Sequence, residues 1–164
     1  METPRLLPIV ARLEPAILAL NNAHASELSP LDAAGLTALL REACHARRIG
    51  ELDAFLFAFD ERAAYGSPNF LWFKQRYPHF VYVDRVVVAP AARGRGYARL
   101  LYADLFEQAR RTGRELVVCE VNNDPPNPAS DAFHAALGFR EVGRAPIHGG
   151  SKTVRYLVLA LAER

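Results

Sequence analysis

The sequence predicts an α/β or α+β domain built on a mixed sheet, and three observations carry that prediction. The second half of the chain alternates strand, helix, strand, helix, strand, strand. The longest apolar strand pattern is followed at once by the cleanest helical stripe. The hydrophobic share is 51%, enough for a substantial core and too much for a disordered chain. With 164 residues, no repeat and no linker-like tract, residues 1–164 are expected to form a single domain.

Leu6–Val10 reads as a first strand, and Pro8 places it at or near an edge. Glu14–Asn21 is a short helix. Ser29-Pro30-Leu31-Asp32 is a cap signal, and Leu36, Leu39, Leu40 and Ala43 recur behind it at helical spacing. Arg47–Gly50 and Asp53–Phe59 are strands around a turn. Gly66-Ser67-Pro68 breaks the chain, so Arg62–Tyr77 reads as a loop with one or two helical turns, crowded with aromatics. Phe80–Val88 is a long apolar strand, expected to be central. In Arg95–Thr112, Leu101, Leu105 and Ala109 form one stripe, joined by Ala98 and Tyr102, and Gly113 stops the helix. Glu115–Val121 is the next strand, Asn123–Pro128 a proline-rich loop, and Ala129–Leu137 a helix closed by Gly138. Phe139–Gly143 and Thr153–Leu161 are the last strands.

Composition excludes several function classes. Twenty Lys and Arg against 18 Asp and Glu give a net charge of +2, and no basic run is long enough for wholesale nucleic-acid binding. Cys44 and Cys119 form no CxxC pair and no disulfide framework, which suits a reduced intracellular compartment. Pro4, Arg5, Pro8, Arg12, Glu14 and Pro15 interrupt any signal-peptide core or membrane helix at the N-terminus. The expectation is a cytoplasmic protein with no metal.

The informative unit is the turn from strand to helix, Val88-Ala89-Pro90-Ala91-Ala92-Arg93-Gly94-Arg95-Gly96-Tyr97-Ala98. Glycines there let backbone N–H groups approach a ligand without a Cβ in the way. A helix N-terminus adds unpaired donors and the positive end of its dipole. Such a turn suits a phosphate or pyrophosphate, and Arg93 and Arg95 add charge. A basic surface turn would have the same spacing. The P-loop pattern GxxxxGK[ST] is absent, and the dinucleotide pattern GxGxxG fails because position 99 is Arg.

Arg93-Gly94-Arg95-Gly96-Tyr97-Ala98 resembles the Arg/Gln-x-x-Gly-x-Gly/Ala signature of the Gcn5-related N-acetyltransferases (GNAT). Asn127-Pro128-Ala129-Ser130-Asp131-Ala132-Phe133-His134-Ala135-Ala136-Leu137-Gly138-Phe139 is similar to that family's Asn-x-x-Ala-x-x-Leu-Tyr-x-x-x-Gly-Phe segment. The resemblance spans about Val81 to Phe139. It implies a twisted mixed sheet of about seven strands with helices on both faces, and acetyl-coenzyme A as co-substrate. The N–H groups of Arg93, Gly94, Arg95, Gly96, Tyr97 and Ala98 would hold the pyrophosphate. Val86, Val87 and Val88 would pair by main chain with the pantetheine arm, and Asn127 would sit close to the coenzyme. The sheet would splay between this strand and Glu115–Val121, leaving a slot for the thioester.

Acetyl transfer to an amine calls for a base at nitrogen and an acid at sulfur. The family's acid is often a Tyr, at the position held here by His134. That His either protonates the thiolate or is structural. Glu120, matching an acidic residue of some relatives, is preferred as base over Asp84. Alternation places Asp84 on one face with Val86 and Val88, and Arg85 on the other. An apolar run makes an unpaired Asp84 costly, so its alternative role is a partnered structural carboxylate. Asn122–Asn127 either shapes the acceptor site or is a stiff solvated turn. The aromatics Tyr65, Phe70, Trp72, Phe73, Tyr77 and Phe80 are expected to pack or to make a homodimer contact before they wall an acceptor site. Asn21 and Asn22 fall where relatives line that site. The acceptor is a small-molecule or peptide amine, with no nucleic-acid or membrane partner. The alternatives are a non-catalytic acyl-coenzyme A binding or sensing module and an interaction domain using the aromatic segment.

Overall fold

The computed structural model describes residues 2–24, 29–124 and 126–161. Its strands are β1 (Leu6–Pro8), β2 (His45–Ile49), β3 (Ala54–Asp60), β4 (Val81–Val88), β5 (Leu116–Asp124), β6 (Arg140–Ile147) and β7 (Lys152–Ala160). They form one sheet in the order β1-β2-β3-β4-β5-β7-β6. Pairing is antiparallel throughout, except that β4 and β5 run parallel. β4 is central, and β1 lies at an edge, where a missing Pro8 N–H costs no ladder bond.

Helices cover both faces. On one side α4 (Tyr97–Arg111) and α5 (Pro128–Leu137) enclose a core containing Leu56, Val81, Val83, Leu105, Val117 and Leu157. On the other lie α1 (Glu14–Ala23), α2 (Ala33–Glu42) and α3 (Pro68–Lys74). The cap signal before α2 works as the spacing predicts: the Asp32 carboxylate accepts the Gly35 N–H at 2.7 Å. All seven residues of β3 are buried because both of its faces are covered. That explains its weak alternation, and each of its three Phe side chains contributes about 1.5–3 kcal/mol by leaving water.

The aromatic segment belongs to this packing. Phe70, Phe73 and Phe80 are fully buried, and Trp72 stacks on Tyr156 with centroids 4.1 Å apart. Gly143 lets the indole sit there, since a Cβ at that position would lie 2.5 Å from Trp72 Cζ2. Phe70, Phe73, Phe80 and Trp72 therefore serve as packing, whereas Tyr65 borders a cavity beside β4.

The boundaries that differ most from the sequence reading are the ends of β5 and β6. Asn122, Asn123 and Asp124 continue β5 instead of opening a loop, because β7 offers them a ladder as far as Thr153 across a bulge. β6 runs past Gly143 to Ile147 for the same reason. Pro125, inside the expected loop, lies outside the described residues.

A second bulge matters more. β3 pairs Phe57 with Arg85 and Ala58 with Val83, which leaves Asp84 as the extra residue of β4. The bulge cancels the expected alternation. Val83 and Val86 pack on the α4 side, whereas Asp84 and Arg85 both turn to the opposite face and meet.

Candidate active site

β4 and β5 pair only at Val81↔Val117 and Tyr82↔Val118. Beyond that point they part, and from Val83 onward β4 has no β5 partner. The parting opens a cavity of about 170 Å³, lined by Tyr82, Asp84 and Val86 of β4 and by Glu120 of β5. Tyr102 of α4 and His134 of α5 complete its floor. Asn127 lies at its wall and caps α5, accepting the Ser130 N–H at 3.3 Å.

Glu120 is the most perturbed carboxylate of the cavity. Tyr82 donates its hydroxyl hydrogen to the carboxylate, with its oxygen 2.9 and 2.7 Å from the two carboxylate oxygens, and Asn69 donates at 3.1 Å. Tyr156 in turn fixes Asn69 by donating to its side-chain oxygen at 3.0 Å. Burial, reinforced by the neighbouring Asp84 charge, outweighs these donors and pushes the Glu120 carboxyl up to about 8. Its ionised form, populated as pH rises toward about 8, can take a proton, as a base acting on an amine must.

Asp84 is a partnered carboxylate. Arg85 Nε donates to one oxygen at 2.7 Å and the Tyr65 hydroxyl to the other, also at 2.7 Å. Both charged side chains are 4% exposed. Arg85 also donates to the Asn21 side-chain oxygen at 2.8 Å and the Ser29 carbonyl at 3.3 Å. Asn22 braces the same segment through the Leu31 N–H and carbonyl. Asn21 and Asn22 thus tie α1 to the chain before α2 and do not line the cavity. At the cavity the Asp84 charge reinforces the raised proton affinity of Glu120.

His134 is buried, and its hydrogen bonds define its tautomer. Nδ1 lies 2.8 Å from the Ser130 carbonyl, which can only accept, so Nδ1 carries the hydrogen. Nε2 lies 2.8 Å from the Tyr102 hydroxyl. Burial lowers the proton affinity of the ring, so Nε2 accepts from Tyr102. Next to them, burial raises the Cys119 thiol far above its ordinary range, which keeps it from acting as a thiolate nucleophile.

At the outer end, Arg93 leaves a short 3-10 turn (Pro90–Ala92) in extended conformation, and Gly94 and Gly96 take φ of +81° and +76°. α4 begins at Tyr97 with no side-chain cap, and Leu100 is the first residue bonded back, to the Gly96 carbonyl. The N–H groups of Gly94, Arg95, Gly96, Tyr97 and Ala98 find no acceptor among the described residues. They form the row of donors that an anion needs. Val88 borders this groove and Val86 the cavity, whereas the Val87 side chain is buried against the α1–α2 side.

Glu120, His134, Asn127 and Asp84 thus line one cavity and the loop borders a separate groove, with Asp84 reaching the cavity by a geometry that the alternation did not predict. Sequence reasoning missed Tyr82, Asn69 and Tyr102 as residues of this cavity. The available signals were a lone amide inside an aromatic run and a tyrosine among the stripe residues of α4.

Residues 29–139 match the family model described as Acetyltransferase (GNAT) family. Over 79 residues the chain is 42% identical to phosphinothricin N-acetyltransferase of Streptomyces coelicolor, covering 48% of this chain and 44% of that protein. Over 95 residues it is 33% identical to L-methionine sulfoximine/L-methionine sulfone acetyltransferase of Salmonella typhimurium, covering 58% and 51%. The matches thus span about half the length of these curated relatives. Among solved structures, yncA from Salmonella typhimurium, solved with its cofactor acetyl-CoA, superposes with a TM-score of 0.70 at 21% identity over 99% of this chain and 96% of that one. That likeness is one of fold.

Proposed function

Because the chain belongs to the GNAT acetyltransferase family, we propose that it moves the acetyl group of acetyl-coenzyme A directly onto a primary amine of a small molecule or peptide. The observation that carries the reading is Glu120, a carboxylate with proton affinity raised to about 8, standing in the slot where β4 and β5 part. It accepts the amine proton, and the freed nitrogen lone pair forms the C–N bond as the C–S bond breaks. The open N–H row at Gly94–Ala98 binds the pyrophosphate, and the main chain of Val86–Val88 guides the pantetheine arm. The high proton affinity of Cys119 supports direct transfer over an acyl-cysteine intermediate. A cytoplasmic setting belongs to the same reading and is supported by the free Cys44 and Cys119.

Calorimetry with acetyl-coenzyme A tests the loop. Gly96→Val, which forces a branched side chain into a left-handed backbone, is expected to weaken binding at least about tenfold; unchanged affinity refutes the loop assignment. A thiol-release assay over an amine panel that includes phosphinothricin and methionine sulfoximine, the compounds in the relatives' names, tests transfer. Binding without thiol release from any amine would favour the non-catalytic acyl-coenzyme A module.

A further inference from the structure

Resting on that acetyl-transfer reading, we propose that Asn69 is a positioning residue for the reaction: its side-chain amide, locked by Tyr156, donates to one oxygen of Glu120 and keeps the other for the proton of the amine. Asn69 is the second residue of α3, the short helix that the aromatic run builds. Phe70 and Phe73 anchor that helix in the core, and Asn69 stands half-buried at the cavity wall. From there its Nδ2 donates to Glu120 Oε1 at 3.1 Å, and the Tyr156 hydroxyl donates to its Oδ1 at 3.0 Å. The Tyr156 ring is itself held, stacked on Trp72 at 4.1 Å, and the Arg76 guanidinium covers that indole 3.8 Å from its centroid. The aromatic segment thus has a use beyond packing, which is to aim one amide at Glu120.

Charge decides which way the amide points. An ionised carboxylate only accepts, so Glu120 requires the Nδ2 side of the amide. That turns Oδ1 to Tyr156, whose hydroxyl supplies the hydrogen. With its oxygen committed there, Asn69 does not take a hydrogen from the amine itself and acts through Glu120. The two carboxylate oxygens are unequally served. Oε1 receives Asn69 and shares Tyr82 with Oε2, and a single phenol hydrogen serves one oxygen at a time. Oε2 is the less committed oxygen, with a lone pair for the hydrogen of a substrate nitrogen.

The same donor opposes Asp84. A hydrogen bond to the charged form favours that form, so Asn69 and Tyr82 draw the proton affinity of Glu120 down while burial and Asp84 raise it. The titratable groups that act on Glu120 are Tyr82 and Asp84 of β4, Tyr65, Tyr156 of β7, Tyr102 of α4 and the adjacent Cys119. Arg85, His134, His148 and Lys152 line the same cavity. An amide does not titrate, so replacing Asn69 by an apolar residue changes none of these charges and removes only a donor. In the reaction the amine's proton passes to Oε2 and then to water, and Asn69 keeps its own hydrogens throughout.

Carbon magnetic resonance of the glutamate carboxyls in the intact, isotope-labelled protein tests this with no substrate present. The Glu120 signal is the one lost in Glu120→Gln, and its shift with pH reads the proton affinity directly. Asn69→Leu is expected to move that titration up by about one pH unit, a tenfold change, because the carboxylate loses a donor. Tyr156→Phe keeps the ring on Trp72 but frees the amide, and is expected to move it the same way by about threefold. A merely structural Asn69 would lower stability and leave the titration in place, so an unmoved signal in Asn69→Leu overturns the proposal. Should Asn69→Leu not fold, Tyr156→Phe decides by the same criterion. Thiol release from acetyl-coenzyme A over the amine panel gives the second readout. Below the titration, kcat of Asn69→Leu should fall about tenfold with KM for acetyl-coenzyme A within about twofold, and the loss should vanish as pH rises. A moved signal with an unmoved rate profile also overturns the proposal. If no amine releases thiol, the acetyl-transfer reading fails and this inference with it; thiol release with an unmoved signal defeats the Asn69 role alone.

Discussion

Replacing Glu120 by Gln separates the electrostatics of the site from its packing. In the folded chain this carboxyl holds its proton up to about pH 8, against an ordinary value of 4.5. Between those limits the folded state binds the proton and the unfolded state has lost it. Stability from this group is therefore complete below about pH 4.5 and is lost as pH rises through about 8. Every pH unit between the two values corresponds to about 1.4 kcal/mol, so the whole window holds about 5 kcal/mol at most. Gln has the shape of the protonated acid and does not titrate. The variant should match the parent near pH 5 and then exceed it increasingly, by up to about 1.4 kcal/mol per pH unit. Burial lowers the proton affinity of His45 and His134, which gives the opposite slope, but both are present in each protein and cancel in the difference. Urea unfolding across about pH 5 to 9 gives that difference directly. A difference constant to about 0.5 kcal/mol over this range would show that Glu120 is not held protonated, and the reasoning fails. Acetyl transfer by the variant should fall by about 10²–10⁴-fold, the usual contribution of a general base.

Two further substitutions test the scaffold. Asp84→Asn leaves the buried Arg85 without its charged partner and should cost about 3–5 kcal/mol in urea unfolding; a cost below about 1 kcal/mol would mean that the pair is not held in low dielectric. The same change removes a negative neighbour of Glu120, so the rise of any surviving activity with pH should move to lower pH. Gly143→Ala drives a Cβ toward Trp72 and should destabilise by about 1–3 kcal/mol. Fluorescence of the single tryptophan should shift with it, and an unchanged spectrum and stability would refute the close packing.

Much of this protein could be read in its residue order. The Leu101, Leu105 and Ala109 stripe marked α4, the Asp32 cap marked α2, and the paired glycines at 94 and 96 marked a donor-rich turn at the end of a buried strand. These are local signals: periodicity, capping and backbone permissiveness act within a few residues of their source. Glu120, His134 and Asn127 entered through motif order, which sets who follows whom but not who touches whom.

Tertiary structure decided the rest. Strand alternation put Asp84 beside Val86 and opposite Arg85, yet one extra residue opposite β3 turned both charges to the same face. No pattern in β4 alone announces that bulge, because it arises from the register of a partner strand. The aromatic run became core when Trp72 found the space above Gly143, about 70 positions away. Glu120 became a group that holds its proton because the fold buried it and brought Asp84 of β4 beside it, against the donors Tyr82 of β4 and Asn69 of α3. The sequence alone determined the elements and the donor-rich glycine loop, since those depend on neighbours along the chain. Only the fold set the protonation of Glu120 and the hydrogen bond from Tyr102 to His134, because burial and charge act through space.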